Sequence, residues 1–334
     1  MSEIRYNIAD ASTLVVDALV RCKTSTQNAQ SVAAALMSAE LAGQNGHGLR
    51  RVPSYAAQAA SGKVDGHASP SSRSPAPATL IVDAAHGFAY PAIDLAFETL
   101  PGKARANGIA IAAIHNSHHC GVAGVVVDRL AEAGLVGLLF ANTPAAMAPW
   151  GGNRAVFGTN PIAFAAPTAN GDSIVIDVSL SKVARGKIMA AKQAGTGIPE
   201  GWALDAAGGP TTDPHAALDG TMVPMGDAKG TVLALMVELL AGGLTGSNYA
   251  YEASDYFSAA GSPPGTGQCL IAIDPEKFGG AATLQRFADL AAAIADQPGT
   301  RVPGARRREI AQEVRNNGVL IDPMLLEEIN SLGN

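Results

Sequence analysis

From Thr79 onward, short apolar runs rich in β-branched residues alternate with longer amphipathic ones, and this rhythm constrains the fold more than any other feature of the chain. It predicts strands at 79–82, 109–114 and 135–141, with helices over 91–107 and 121–134 between them. Further strands are expected at 162–165, 173–177 and 268–274, and helices at 182–194 and 229–240. Alternation of this kind specifies a layered α/β core. The flanks read differently. Helices are predicted at 9–22, at 25–45 behind the N-cap residue Ser25, and at 49–61, where Pro53 is tolerated near the start. Two more helices are expected at 283–296 and 305–317. Residues 62–77 are rich in Ser, Pro and Gly and read as a linker. The expected organisation is a helical domain formed by both chain ends, 1–75 plus 280–334, around a core at 76–279.

With 334 residues, 47% hydrophobic and 16% charged, the chain can bury one large core or two smaller ones. A net charge of −6 and 5% aromatic residues give no field or stacking surface for nucleic acid. The first ten residues have no basic flank and no apolar run, and the most apolar stretch, 135–150, is broken by Asn142, Pro144 and Pro149. A cytoplasmic protein without a membrane segment is therefore expected. Cys22, Cys120 and Cys269 are too far apart for a disulfide framework or a zinc finger. Small molecules and copies of the chain itself are the partners this composition suits.

Three of the seven histidines fall within five residues, in the run His115-Asn-Ser-His118-His119-Cys-Gly121, where the 109–114 strand should hand over to a helix. Imidazoles there exchange protons near neutral pH, and the first amides of the helix can hold an anion. His119, nearest the helix start, is the preferred acid–base group. A metal site is disfavoured, because neighbouring side chains at a strand end diverge and no His-Glu-x-x-His helix is present. A second cluster is Gly46-His47-Gly48-Leu49-Arg50-Arg51 with Tyr55. Arg51 and Tyr55 are four apart, so on one helix they would share a face and could grip a carboxylate together. The alternative is that Gly46 only ends the preceding helix and the arginines are solvated.

The loops 149–152 and 157–161 are glycine-rich, with Thr159 and Asn160 at the tip of the second. Asp177, followed by Ser179 and Ser181, suits either a ribose hydroxyl or a helix cap. Lys229-Gly230 opens a helix and could face a phosphate. Arg301, Arg306, Arg307 and Arg308 form the one dense basic cluster and hint at a phosphate-bearing ligand. No dinucleotide fingerprint is present: Gly43, Gly46 and Gly48 are not continued at position 51, and Gly151, Gly152 and Gly158 have the wrong spacing.

Taken in order, these segments resemble the malate, lactate and ureidoglycolate dehydrogenase family that lacks a Rossmann fold, whose members include sulfolactate dehydrogenases and cyclic ketimine reductases. The likeness runs through residues 39–66, 114–121, 157–167, 199–205, 210–214, 229–230 and 301–304. It implies a sulfolactate dehydrogenase-like mixed sheet and a homodimer. It also implies NAD(P)-dependent hydride transfer to or from C2 of a small 2-hydroxy or 2-oxo acid. The resemblance makes His119 the proton donor and acceptor, with His47 in the same pocket. Arg51 and Tyr55, with Thr159 and Asn160, fall at substrate positions. His118, Thr143, Asp177, Val178, Ser179, Lys229, Gly230, Arg301, Gly304, Arg306 and Arg307 fall at cofactor positions, and the arginines near 306 favour NADP. No metal is implied. Two departures stand out. The family usually carries Ser-His-Gly where this chain has Gly46-His47-Gly48. Its ketimine reductases carry an Asp where this chain has Lys187, which weakens the alternative of cyclic imine reduction. The segments 117–121 and 183–187 are similar to the sulfolactate branch. A third alternative, motivated by Gly46, is a cofactor-binding homologue without turnover.

Overall fold

The structure is a computed structural model that describes residues 4–333. The chain opens with strand β1 (Ile4–Tyr6) and helices α1 (Ile8–Arg21), α2 (Thr26–Leu41) and α3 (Val52–Ser61). Asn7 and Ser25 cap the first two helices by accepting from the N–H groups of Asp10 and Asn28. α2 stops four residues short of the predicted end, because Gly43 adopts φ +69° and turns the chain. Asn45–His47 and Leu49–Arg51 are single 3-10 turns, so Gly46 sits inside a turn rather than at a helix end.

The core is a seven-stranded mixed sheet. Its strands are β2 (Ser71–Arg73), β3 (Thr79–Asp83), β4 (Ile109–Ser117), β5 (Val136–Ala141), β6 (Ile162–Pro167), β7 (Ser173–Val178) and β11 (Thr266–Ile273), in the order β2-β3-β4-β11-β5-β6-β7. Only the β3–β4 pair is parallel. β2 lies within the predicted linker and pairs with Ile81–Asp83, so the Ser/Pro/Gly-rich stretch edges the sheet. Helices α4 (Ala89–Asn107) and α5 (Ala123–Glu132) cover one face.

Period-two alternation explains how the sheet is buried on both sides. Ala110, Ala112 and Ile114 of β4, Leu139 of β5 and Leu270 and Ala272 of β11 join one apolar cluster under α4 and α5. Ile111, Leu138, Phe140, Cys269 and Ile271 point the other way, into a second cluster. That second layer holds α6 (Arg185–Gln193), α7 (Pro214–Asp219), and a small sheet of β8 (Ala203–Leu204), β9 (Pro210–Thr211) and β10 (Thr221–Met222). It also holds α8 (Ala228–Val237), which runs on into a π-helical turn, Glu238–Gly243.

After β11 come α9 (Glu276–Gly279), α10 (Thr283–Ala295), α11 (Ala305–Asn317), β12 (Val319–Ile321) and α12 (Pro323–Ser331). β12 pairs with β1, and Val319, Ile321 and Ile329 pack with Val15, Leu19 and Leu36 of the opening helices. The stretch before α11 lies on the outer sheet edge instead. Val175 N–H donates to Pro303 C=O, Ala169 N–H to Leu284 C=O, and Arg308 pairs with Asp172 at 3.2 Å.

Candidate active site

The end of the sheet where β4 closes brings His118 and His119 together with His47, Arg51 and Tyr55, whereas the segment that holds Gly304 packs on Ser173 and Val175 at the other end of β7. β4 runs three residues past its predicted end, to Ser117, and the extension carries His115 alongside Asp83 of β3. His115 therefore stays with the strand, and only His118 and His119 turn into the site. There the imidazoles meet the turn that precedes α3.

His119 uses both ring nitrogens. Its Nδ1 lies 2.5 Å from the Tyr55 hydroxyl and its Nε2 lies 3.1 Å from His47 Nδ1. The two imidazole planes are 21° apart with centroids at 5.1 Å. Most of that separation is the N···N contact itself, so the rings are joined edge to edge by an N–H···N bond rather than face-stacked. Tyr55 in turn lies 3.0 Å from the Tyr90 hydroxyl. A continuous chain Tyr90–Tyr55–His119–His47 results. Its outer atom, His47 Nε2, has no partner among the described residues.

Burial, and after it the charge of Arg51, hold His47, His118 and His119 neutral: His47 is lowered to about 4, His118 to about 3, and His119 well below its ordinary value of 6.5. Burial also pushes Tyr55 up to about 12. The site therefore carries protons on neutral groups.

Tyr55 was expected to share a carboxylate with Arg51, and the structure corrects this. The Tyr55 side chain is wholly buried, and its hydroxyl is committed to His119 and Tyr90. Arg51 belongs to the 3-10 turn and to the cap of α3, so the four-residue spacing does not put the two on one helix face. Arg51 itself suits an anion. Its Nε donates to Gly46 C=O at 2.8 Å, its guanidinium lies 4.6 Å from the Phe257 ring centroid, and its buried Nη1 has no partner. A Cβ at Gly46 would meet nothing within 4 Å, so the absent serine leaves open space beside His47.

His118 is fixed by a residue the sequence did not flag. Gln58, wholly buried on α3, donates from Nε2 to the carbonyls of Ser54 and Tyr256, so its Oε1 must accept from His118 Nε2 at 3.1 Å. His118 Nδ1 is then a bare acceptor, and it is buried without a partner, as are the nearby Ser117 Oγ and Gln268 Oε1. Orphaned buried polar atoms call for a polar ligand. They fit a nicotinamide nucleotide at these strand ends.

The remaining predicted residues divide. Thr143 Oγ1 accepts from Thr159 N–H at 2.9 Å, which brings these two loops together. Asn160 is wholly buried and gives its amide hydrogens to Glu238 and Ala234 C=O, so it braces the loop and has no face left for substrate. Glu238, on the π-helical turn, also accepts from Asn142 and from Ala250 N–H. Asp177 accepts from Gly124 N–H at 2.7 Å, at the start of α5. A Cβ on Gly124 would lie 3.0 Å from the Asp177 side chain, so a larger residue would press that carboxylate back by a few tenths of an ångström. Val178 and Ser179 follow at the end of β7, and Leu180 C=O accepts from Met225 N–H, which leads to Lys229-Gly230 opening α8. Gly304 packs on Ser173 and Val175. Arg307 pairs with Asp128 at 3.3 Å and keeps a buried, unpartnered Nη1, while Arg301 and Arg306 are exposed and form no ion pair among the described residues.

The family profile described as malate/L-lactate dehydrogenase matches residues 6–330. The chain belongs to that family. It is 48% identical to a (2R)-3-sulfolactate dehydrogenase (NADP(+)) of Chromohalobacter salexigens, over 97% of both chains. It is 44% identical to a Δ1-pyrroline-2-carboxylate/Δ1-piperideine-2-carboxylate reductase of Pseudomonas putida, over 88% of this chain and 87% of that one. Among solved structures, a Δ1-piperideine-2-carboxylate reductase from Pseudomonas syringae superposes with a TM-score of 0.93 at 38% identity, covering 98% of this chain and 99% of that one.

Proposed function

We propose that this oxidoreductase interconverts a small 2-hydroxy acid and its 2-oxo acid, of the sulfolactate type, with NADP as the preferred cofactor. The observation that carries the reading is Arg51: a guanidinium with a free, buried Nη1 stands beside two neutral imidazoles, one of them open at Nε2. The guanidinium holds the carboxylate, which sets C2 beside the imidazoles. His47 Nε2 gives a proton to the forming alkoxide in reduction and takes it back in oxidation, while His119 behind it keeps the ring oriented. The expectation that His119 itself touches substrate gives way to this order, since both its nitrogens are occupied.

Thr143, Asp177 to Ser179, Arg301 and Arg306 would hold the cofactor, with Gly304 and Lys229-Gly230 beside them, and His118 Nδ1 would accept from an N–H of the nicotinamide side. The bound cofactor supplies or accepts the hydride at C2. Arg185, half-buried and close enough to Asp255 to feel its charge, adds a cation next to the strap that carries Tyr256. A second cation suits a substrate with two anionic ends. The 48% identity to a sulfolactate dehydrogenase supports the same substrate.

Cyclic imine reduction is the second reading, supported by the 44% relative and the 0.93 TM-score neighbour. Initial rates on sulfopyruvate, oxaloacetate, pyruvate and piperideine-2-carboxylate, with NADPH and with NADH, decide between them. The main reading expects sulfopyruvate with NADPH to be fastest, and a clear preference for the imine would replace it.

We also read the protein as a cytoplasmic homodimer. Its three cysteines are buried and unpaired, which suits a reducing compartment. No helix among the described residues is long and apolar enough to cross a membrane. From Val232 to Val237, α8 is apolar on every side, yet Val232 and Leu235, with Leu239 and Leu244 beyond the helix, are 61%, 47%, 54% and 58% exposed. Such a helix is normally covered, here by a second copy.

A further inference from the structure

A cavity of about 260 Å³ lies between α2, α4 and the start of α5, and Tyr90 is one of the residues that line it. Its polar lining comes from Tyr90, Cys120, Ser31, Ser38, Asp94 and Arg129. Asp94 accepts from Ser31 Oγ at 2.5 Å and pairs with Arg129 at 2.9 Å across it. The rest of the lining is alanine, valine and isoleucine, but Asp94 and Arg129 are 46% and 39% exposed, so solvent water reaches the polar side of the cavity.

The hydrogen-bond chain therefore has two ends, the unpartnered His47 Nε2 on the substrate side and Tyr90, a residue that lines this cavity. We propose that Tyr90, Tyr55, His119 and His47 form a proton wire that joins the substrate to water in the cavity. The geometry permits two complete registers. In the first, Tyr90 O–H donates to Tyr55, Tyr55 O–H to His119 Nδ1, and His119 Nε2–H to His47 Nδ1, which leaves a proton on His47 Nε2. In the second every bond is reversed and His47 Nε2 is bare.

Reduction of substrate converts the first register into the second. The hydride reaches C2 as the proton of His47 Nε2 goes to the substrate oxygen. The proton of His119 Nε2 moves to His47 Nδ1, that of Tyr55 to His119 Nδ1, and that of Tyr90 to Tyr55. Cavity water replaces the Tyr90 proton, and the hydroxide left behind is neutralised by bulk solvent. Every protein group is neutral before and after, which suits a buried site where an imidazolium or a phenolate would be costly. Oxidation runs the sequence backwards.

The wire rests on the assignment of His47 as the group that meets substrate, so one arm of the test needs no turnover. In a His47→Phe background the front end is closed. Exchange of the His119 ring proton with water, read by NMR of ¹⁵N-histidine-labelled protein, should then depend on Tyr90. Adding Tyr90→Phe, or Ser38→Phe to fill the cavity, should slow exchange about tenfold or more. Unchanged exchange in both overturns the path through the cavity whatever the substrate. In the catalytic arm, Tyr90→Phe should lower kcat about tenfold with KM little changed, and convert a curved proton inventory into a straight one. Wild-type kcat with an unaltered inventory also overturns the proposal. If the NMR arm holds while no acid or imine is turned over, the functional reading fails and the conduit stands.

Discussion

The guanidinium of Arg51 lies 4.6 Å from the ring centroid of Phe257, so the strap from Tyr251 to Ser262 covers the cation we propose as the substrate's anchor. Lys63 and Gln58 tie that strap down through the carbonyls of Asp255, Ser258 and Tyr256. Arg51→Lys keeps the charge and loses the planar fork. We expect KM for the acid to rise about 100-fold, equivalent to about 2.7 kcal/mol, with NADPH affinity by fluorescence titration nearly unchanged. An unaltered KM would remove Arg51 from the substrate site.

Acid should destabilise the fold through the histidines. The folded-state values of His47, His118 and His119 lie below the ordinary 6.5. The unfolded chain therefore binds more protons than the folded one below that pH. Stability is unaffected above 6.5 and is lost as pH falls through 6.5 toward 4. Melting temperatures taken from pH 7.5 to 4.5 should fall in that window, and His47→Gln should flatten the decline. Parallel curves would contradict the assignment.

Glu238 accepts from two asparagine amides and a backbone N–H, so Glu238→Gln would set an amide donor against other donors. A loss of about 2–4 kcal/mol is expected in urea unfolding, because buried donors are left unpaired. The loops holding Thr143 and Thr159 should loosen with it and weaken cofactor binding.

Arg301 and Arg306 are exposed near the sheet edge where Gly304 packs, and we propose that they meet the extra phosphate of NADP. Arg301→Ala and Arg306→Ala should together raise the Kd for NADPH at least about tenfold, the scale of one charge-assisted hydrogen bond. The Kd for NADH should stay within about twofold. Equal losses for both cofactors would place the arginines elsewhere in the nucleotide site.

Leu239→Asp and Val232→Asp put charge on the exposed apolar side of α8. Sedimentation should show a monomer for the double variant and a dimer for the wild type. A dimer in both would move the interface to another face.

Much of the sheet was legible because its strands alternate faces: Ala110, Ala112 and Ile114 oppose Ile111, and the predicted 109–114 strand is the first six residues of the real one. Strand order was not legible, since periodicity says which face a residue takes but not which neighbour it pairs with. At the site, the histidines and Arg51 stood out by type and spacing. Tyr55 was found for the wrong role, because a 3-10 turn separates Arg51 from the helix that carries it. Tyr90, Gln58 and Tyr256 act through long-range contacts and left no local mark. Glu238 did leave one: it is the single charge in the apolar run 231–241.

β11 is the middle strand of the sheet, yet it is the last of the seven to be synthesised, and it bonds to β4 on one side and β5 on the other. Until about residue 273 has left the ribosome, the two halves of the sheet have open inner edges facing each other with nothing between them. Such edges are templates for wrong pairing. The chain must therefore mature late and cooperatively, and truncation before this point should give a protein that aggregates rather than a smaller folded unit.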